Sequence, residues 1–277
     1  MIWVWGVSQK INLEVEFRIE DHDTSRVRPH FIEKIVSDTH WLGFTKHLPI
    51  DKQSNHSKRY QDIAALLFEK GLVYACTCSR KDIARDHQND LLDEPRYPGT
   101  CRRKNLPFNT PNASLRVSIE DQTIEASDLL CGELSQNPFL QCGDLLIRDR
   151  NGLWTYQFCV VADDLAQKID LIIRGDDLKS SVGRQLALRS ILEQNMPTPG
   201  TIKRPLFIHH PLLFENDRGK LSKRLNSKSI ESYRGEGWTP ENLLGLAAFE
   251  GGLLSQISPV NAEQCWTLIP KLLPFSD

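Results

Sequence analysis

The sequence predicts an α/β protein built around a mostly parallel sheet. Three observations carry that expectation. Short apolar or alternating runs at residues 13–19, 72–76, 171–173 and 206–209 read as strands. Segments with the apolar spacing of helices lie between them. Strands that alternate with helices along a chain pack as a parallel sheet covered by its crossovers.

Taken in order, Leu13, Val15, Phe17 and Ile19 alternate with Glu14, Glu16 and Arg18, which predicts a strand with one buried face. It runs into Glu20-Asp21-His22-Asp23. A helix is expected from Pro29, with Phe31, Ile32, Ile35 and Val36 on its inner face and Gly43 as its stop. A second helix, over 57–70, puts Tyr60, Ile63 and Leu67 on one stripe, and a strand follows over 72–76. Residues 79–112 are polar and carry several prolines, so they read as an insertion outside the core. Leu115, Val117 and Ile119 alternate again. Residues 145–154 predict a hairpin with Asn151-Gly152 near its turn. The apolar run 156–165 predicts a helix with Cys159 as a small core residue. A short buried strand over 171–173 ends at Arg174-Gly175-Asp176-Asp177, and a helix is expected over 181–193. On the strand 206–209, His209 and His210 point to opposite faces, which argues against a joint metal role. Thr239-Pro240 predicts an N-cap and first residue of a helix. The stretch 121–142 yields only loop with short elements.

Composition narrows the function. Among 277 residues, 34 Lys plus Arg against 36 Asp plus Glu give a net charge of −2. That excludes a globally basic nucleic-acid coat, but not an enzyme with local patches such as Arg102-Arg103-Lys104. No apolar run reaches membrane-spanning length, and the amino terminus lacks the basic segment of a secretory signal. Seven cysteines, two of them as Cys76-Thr77-Cys78, fit reduced thiols or a metal site better than a disulfide framework. A cytoplasmic enzyme without a membrane partner is expected.

Two strand ends carry the first chemical signal. In open α/β sheets ligands bind beyond the carboxyl ends of strands. Here one end is acidic, at Glu20, and another opens with a cation, Arg174. Such a pair suits a zwitterion, with carboxylate on amine and guanidinium on carboxylate. The loop Gly219-Lys220-Leu221-Ser222-Lys223-Arg224 gathers cations and a hydroxyl beside a glycine, which suits a polyphosphate, although it is not a Walker loop. Cys76 and Cys78, with Cys101 returned by Tyr97-Pro98-Gly99-Thr100, make three ligands of a tetrahedral zinc site and leave it one short.

Arg18-Ile19-Glu20-Asp21-His22-Asp23, Ile173-Arg174-Gly175-Asp176-Asp177-Leu178 and Lys220-Leu221-Ser222-Lys223 together resemble the glutamyl-tRNA synthetase family of class I synthetases, the last as its KMSKS loop. The resemblance reaches to about residue 225. Only 53 residues follow Arg224 (277 minus 224), too few for the family's anticodon-binding region. The chain therefore looks like the family's stand-alone branch, the glutamyl-Q tRNA(Asp) synthetases. That branch activates L-glutamate with ATP and transfers it to the queuosine base of the tRNA(Asp) anticodon.

The resemblance implies a Rossmann-type nucleotide-binding fold with an inserted zinc subdomain. Residues 1–75 and 141–225 would form the two parts of the catalytic domain. Residues 76–140 would be the insertion, and 226–277 a short helical region. It assigns Glu20, Tyr156 and Arg174 to the glutamate pocket. Lys220, Ser222 and Lys223 go to ATP, with Lys223 as the catalytic lysine and Mg2+ accompanying the nucleotide. It offers Tyr97 as the fourth ligand of one structural Zn2+ beside Cys76, Cys78 and Cys101, with His87 as the chemical competitor. A monomer is expected.

The chain departs from the pattern in one place. The ATP-contacting HIGH-like motif and the first strand of the nucleotide fold have no counterpart, and Ile2-Trp3-Val4-Trp5-Gly6-Val7 resembles the helix that follows them. The expectation is a start codon assigned too far downstream. Two competing readings are a truncated glutamyl-tRNA synthetase charging a tRNA 3′ end, and an inactive zinc-stabilised tRNA-binding remnant.

Overall fold

The computed structural model describes residues 1–23, 27–45, 51–85, 95–196, 203–213 and 228–271. Helix α1 (Ile2–Ile11) ends at Asn12, whose left-handed φ of 53° releases the chain. It packs against a 3-10 segment at Ala262–Leu268, and its Trp3, Trp5 and Val7 are buried. The approach is close. A Cβ on Gly6 would stand 2.5 Å from Ile269 Cγ1 and 2.8 Å from the Cys265 carbonyl. Trp5 packs with Ala262 and Cys265, while Trp3 and Val7, on the other side of the helix, pack with Ile208 and Ile269.

The strand expected over 13–19 shrinks to β1 (Arg18–Ile19), paired in parallel with β2 (Asp51–Lys52). The alternation is real, since Val15 and Ile19 are buried while Glu14, Glu16 and Leu13 are exposed. Residues 13–17 instead line a cavity. Alternation fixes which face is buried, but a strand also needs a partner for its backbone groups. Helix α2 (Pro29–Trp41) corrects a second expectation. Phe31 and Ile35 are exposed, and the inner stripe runs through half-buried Ile32 and Val36 to buried Thr39. A 3-10 turn (Gln53–His56) leads into α3 (Ser57–Glu69), which buries Tyr60, Ile63 and Leu67 as expected.

Next come β3 (Val73–Cys76), α4 (Arg80–Arg85), β4 (Ser114–Val117), β5 (Ile124–Asp128), β6 (Gly132–Gln136), α5 (Pro138–Gln141) and β7 (Leu145–Arg148). The order β3-β4-β7 is antiparallel throughout, so the expectation of a mostly parallel sheet fails here. Long intervening segments let neighbouring strands return in the opposite sense without a helical crossover. After β7, Trp154 bridges back to Arg148 across a turn in which Asp149 Oδ1 accepts the N–H groups of Asn151 and Leu153, and Gly152 takes a φ of 85°. That is the expected hairpin.

Helices α6 (Tyr156–Ala166) and α7 (Val182–Asn195) flank β8 (Leu171–Gly175) and a 3-10 segment (Asp176–Ser181). Then follow β9 (Leu206–His210), α8 (Ile230–Gly235) and α9 (Pro240–Glu250), whose Thr239 cap accepts the Asn242 N–H at 3.3 Å. The second sheet runs β6-β5-β9-β8, with β5, β9 and β8 parallel. Its β5–β6 hairpin, with α5, supplies the short elements expected within 121–142. The main core gathers Tyr60, Leu67, Leu115, Ile147, Phe158 and Leu192, and Cys159 lies within it. Residues 79–112 are not wholly outside the core, because Leu106 and Phe108 pack on it and Tyr97 and Cys101 are buried.

One buried charge ties these parts together. Asp163 on α6 is fully buried. It accepts hydrogen bonds from Arg59 Nη1 at 2.8 Å, Tyr60 Oη at 2.7 Å and Gln53 Nε2 at 3.0 Å, with Arg18 Nε 3.7 Å away. Removing it strands the Tyr60 phenol, the Gln53 amide and the part-exposed Arg59, while Arg18 keeps Asp164. Asp163→Ala is expected to destabilise the protein by about 3–5 kcal/mol, a fall in Tm of about 10 °C by calorimetry.

Candidate active site and metal centre

A cavity of about 280 Å3 opens between the 13–20 segment and β8, and Glu20, Tyr156 and Arg174 all line it. The acidic cluster divides on arrival. Asp21 is buried and accepts the Ser54 N–H at 2.8 Å and Oγ–H at 2.7 Å, while His22 Nδ1 meets Gln53 Oε1 at 2.7 Å. Those two residues hold the turn to the 3-10 segment. Glu20 is left to face the cavity, 41% exposed, 3.9 Å from Arg18 Nη2. Partial desolvation holds its carboxyl above the usual range, with Arg18 opposing and Asp164 adding to the rise.

The cationic end divides as well. Asp176 pairs with Lys179 at 2.6 Å, and Gly175 passes so close to Asp177 and Leu212 that a Cβ would stand 2.7 Å and 2.9 Å from them. Arg174 turns toward the cavity. Its Nη1 donates to Gln185 Oε1 at 2.7 Å, its Nη2 to the Leu178 carbonyl at 3.2 Å and its Nε to His209 Nε2 at 3.0 Å. Gln185 is itself aimed by Gln157 at 2.7 Å, and Gln157 by Ser181 at 3.0 Å. Beside it, burial and then Glu20 push the Tyr156 phenol up to about 12, so Tyr156 is a neutral hydroxyl at pH 7. The cavity thus has a carboxylate, a hydroxyl and a half-buried guanidinium on its wall. Arg18 and Asp164 share that wall, joined at 3.0 Å. Sequence reasoning missed Arg18, Asp164, Gln185 and His209. Arg18 and His209 lie on strands beside the marked ends, whereas Asp164 and Gln185 lie within helices with no local signal.

Three of the seven thiols form the second centre. The sulfurs of Cys76, Cys78 and Cys101 lie within 4.8 Å of one another. The Tyr97 hydroxyl joins them, 3.2 Å from Cys76 Sγ and 3.8 Å from Cys78 Sγ, and Cys78 and Cys101 are 3.5 Å apart. A tetrahedral zinc with thiolate and oxygen ligands has ligand-to-ligand edges of about 3.5–3.8 Å. The donor set therefore fits zinc. Burial opposes ionisation of Cys101, but hydrogen bonds from Thr77, Tyr97 and Cys78 outweigh it and bring the thiol down to about 6. Burial, then the hydrogen bond with Cys76, raise the Tyr97 phenol. A metal reverses that preference, because a bound cation stabilises the phenolate directly. The Arg116 guanidinium, 3.8 Å from the Tyr97 ring centroid, adds positive charge on the same face.

Tyr97 owes its place to a glycine. Its N–H donates to the Cys142 carbonyl at 2.8 Å, and it forms a bridge with Gly143. Gly143 has a φ of 67°, and a Cβ there would stand 1.9 Å from the Tyr97 carbonyl oxygen. Gly143→Ala is expected to cost about 3 kcal/mol in urea unfolding and to weaken metal retention, because the bridge must open.

His87, Lys220, Ser222 and Lys223 lie outside the described residues. Among the described residues no helix is long and apolar enough to cross a membrane.

Comparison with known proteins places this architecture. A glutamyl-Q tRNA(Asp) synthetase from Symbiobacterium thermophilum is 34% identical over 273 residues, spanning 91% of this chain and 80% of that protein. One from Geobacter sulfurreducens is 36% identical over 221 residues, 78% of this chain and 67% of its own. A glutamate–tRNA ligase from Buchnera aphidicola is 31% identical over 89% of this chain, but the chain spans only 51% of that longer protein. The fold is shared with a glutamate tRNA ligase from Elizabethkingia meningosepticum, solved in complex with its amino acid. The TM-score is 0.70 at 22% identity, over 96% of this chain and 60% of that one. The family model for tRNA synthetases class I (E and Q), catalytic domain, matches residues 1–259, and the chain belongs to that family of ligases.

Proposed function

We propose that this chain activates L-glutamate with ATP and transfers the glutamyl group to the queuosine base of tRNA(Asp). The observation that carries the reading is the convergence of Glu20, Tyr156 and Arg174 on one cavity. Glutamate is a zwitterion with one ammonium and two carboxylates. Glu20 takes the ammonium, Arg174 takes a carboxylate, and the Tyr156 hydroxyl donates or accepts beside them. Relatives named glutamyl-Q tRNA(Asp) synthetase, of which the chain spans 80% and 67%, support the queuosine substrate over a tRNA 3′ end. Lys220, Ser222 and Lys223 hold the ATP phosphates in this reading, with Mg2+ on the nucleotide and Lys223 stabilising the charge that develops at phosphorus. Cys76, Cys78, Cys101 and Tyr97 hold one zinc, which when bound fixes the fold of the insertion. With every ligand position taken by protein, its role is structural.

Two assays test this. The first is glutamate-dependent exchange of labelled pyrophosphate into ATP. The second is transfer of labelled glutamate to tRNA(Asp) with and without queuosine, and to tRNA(Glu). Exchange with transfer only to queuosine-containing tRNA(Asp) is the expected result. Transfer to tRNA(Glu) would make the chain a short glutamate–tRNA ligase. Binding of tRNA with no exchange would sink the enzyme reading and leave an RNA-binding remnant.

A further inference from the structure

The cavity's cation is held by a pair of residues that no part of the reading above uses. Asp128, at the carboxyl end of β5, is buried. Its Oδ1 accepts the N–H groups of Leu130 at 2.9 Å and Cys131 at 2.7 Å. Its Oδ2 accepts the His209 backbone N–H at 3.1 Å and meets His209 Nδ1 at 2.5 Å. An acceptor-only carboxylate on Nδ1 means that Nδ1 carries the proton. Nε2 then presents its lone pair, and Arg174 Nε–H donates to it at 3.0 Å. The register of β8 on β9 sets Arg174 opposite His209, and Phe207 stacks on the imidazole with rings 5.8 Å apart and 12° from parallel. His209 is 2% exposed.

We infer that Asp128 and His209 are positioning residues for the amino-acid pocket: Asp128 fixes the His209 tautomer, and neutral His209 aims Arg174 at the substrate carboxylate. This rests on the cavity being the glutamate pocket. It makes the protonation state of His209 a determinant of substrate affinity. A second proton would sit on Nε2, against Arg174 Nε–H, removing an acceptor and adding a like charge. The charged and titratable groups facing the ring are Asp128 and Arg174, with Asp176 beyond; Cys131 Sγ lies 3.9 Å from its carbonyl. Burial, with Arg174 adding to it, holds the imidazole below its ordinary 6.5 against the pull of Asp128, so His209 is neutral at pH 7. His210 takes no part, because it points to the other face and stacks on Trp3.

The test uses three variants of the full chain. Asp128→Asn puts a donor opposite Nδ1 and is expected to move the His209 proton to Nε2. Glutamate then binds about tenfold or more weakly by calorimetry at neutral pH. His209→Leu leaves Arg174 Nε without an acceptor and is expected to weaken binding similarly. His209→Gln places a carbonyl oxygen near the Nε2 position and is expected to restore affinity to within about threefold. It also removes one proton from the acid loss of binding, while Glu20 contributes its own in every variant. Imidazole nitrogen NMR reads the tautomer without any ligand, with His209→Gln assigning the signal. The inference is overturned if His209 keeps its Nδ1 proton in Asp128→Asn, or if His209→Gln binds as weakly as His209→Leu. Failure of the unaltered chain to bind glutamate would overturn the pocket reading, and the NMR tautomer would still decide the role of Asp128.

Discussion

Arg174→Leu raises the dissociation constant for glutamate by about 100-fold or more, with Tm lowered by only a few degrees. Removing the half-buried cation leaves a substrate carboxylate to enter the cavity without a partner, a loss of about 2–5 kcal/mol. Arg174→Lys falls between the two, because an ammonium cannot satisfy Gln185, Leu178 and His209 together as the guanidinium fork does. Calorimetric titration with glutamate and with glutamine separates charge from shape. Glu20→Gln weakens glutamate by about tenfold, since it removes the charge facing the ammonium but leaves a hydrogen-bond acceptor. The pH dependence has a definite sign. The Glu20 carboxyl is held above its ordinary value and must be ionised to bind an ammonium. Affinity is therefore lost on acidification, beginning at a higher pH than an ordinary carboxylate would give. Unchanged affinity in Arg174→Leu would remove this cavity as the amino-acid site.

The second large effect is loss of the metal. Purified protein is expected to carry one zinc per chain. Cys101→Ser is expected to lose it and to lower Tm by about 10 °C, because metal affinity in such a site is folding free energy. Tyr97→Phe keeps the packing of the ring under Arg116 and removes only the oxygen. It is expected to weaken zinc by about 100-fold and to lower the metal-free Tm by only a few degrees, because the buried Cys101 N–H loses the hydroxyl that accepts it at 3.0 Å. Competition with a chromogenic chelator measures the first and calorimetry the second. Equal zinc affinity in Tyr97→Phe would show that the fourth donor lies elsewhere, and His87→Ala is then the variant to compare.

How far the sequence speaks depends on the range of the interaction. Local signals were sound. Helices at 29–41, 57–69, 156–166, 182–195 and 240–250 appear where spacing and caps put them, and Thr239 and Gly152 do what their residue types predict. Charge at strand ends also marked Glu20 and Arg174, because loops beyond the carboxyl ends of strands carry ligands. Strands at 73–76, 171–175 and 206–210 also appear where expected, but the extent and pairing of others escaped the sequence. The run at 13–19 alternates correctly but pairs over only two residues. The hairpin at 124–136 has little apolar contrast of its own and exists because β5 lies beside β9. Phe31 and Ile35 have helical spacing, yet the neighbours of α2 meet the stripe one step round.

The same division holds for the sites. The amino-acid sequence determined the chemical inventory: an acid, a guanidinium and a phenol for a zwitterion, and three thiols at metal-ligand spacing. Tertiary structure decided which of them reach the cavity or the thiol cluster. It turned Asp21 and His22 away to Ser54 and Gln53, leaving Glu20 in the cavity. It brought Tyr97 to the thiols through its bridge with Gly143, 46 positions further along the chain by number (143 minus 97). It backed Arg174 with His209 and Asp128, from strands that the sequence keeps far apart. Residue type fixes what a side chain can donate, accept or ionise. Only packing fixes the direction in which it does so, because direction belongs to pairs of elements rather than to any one of them.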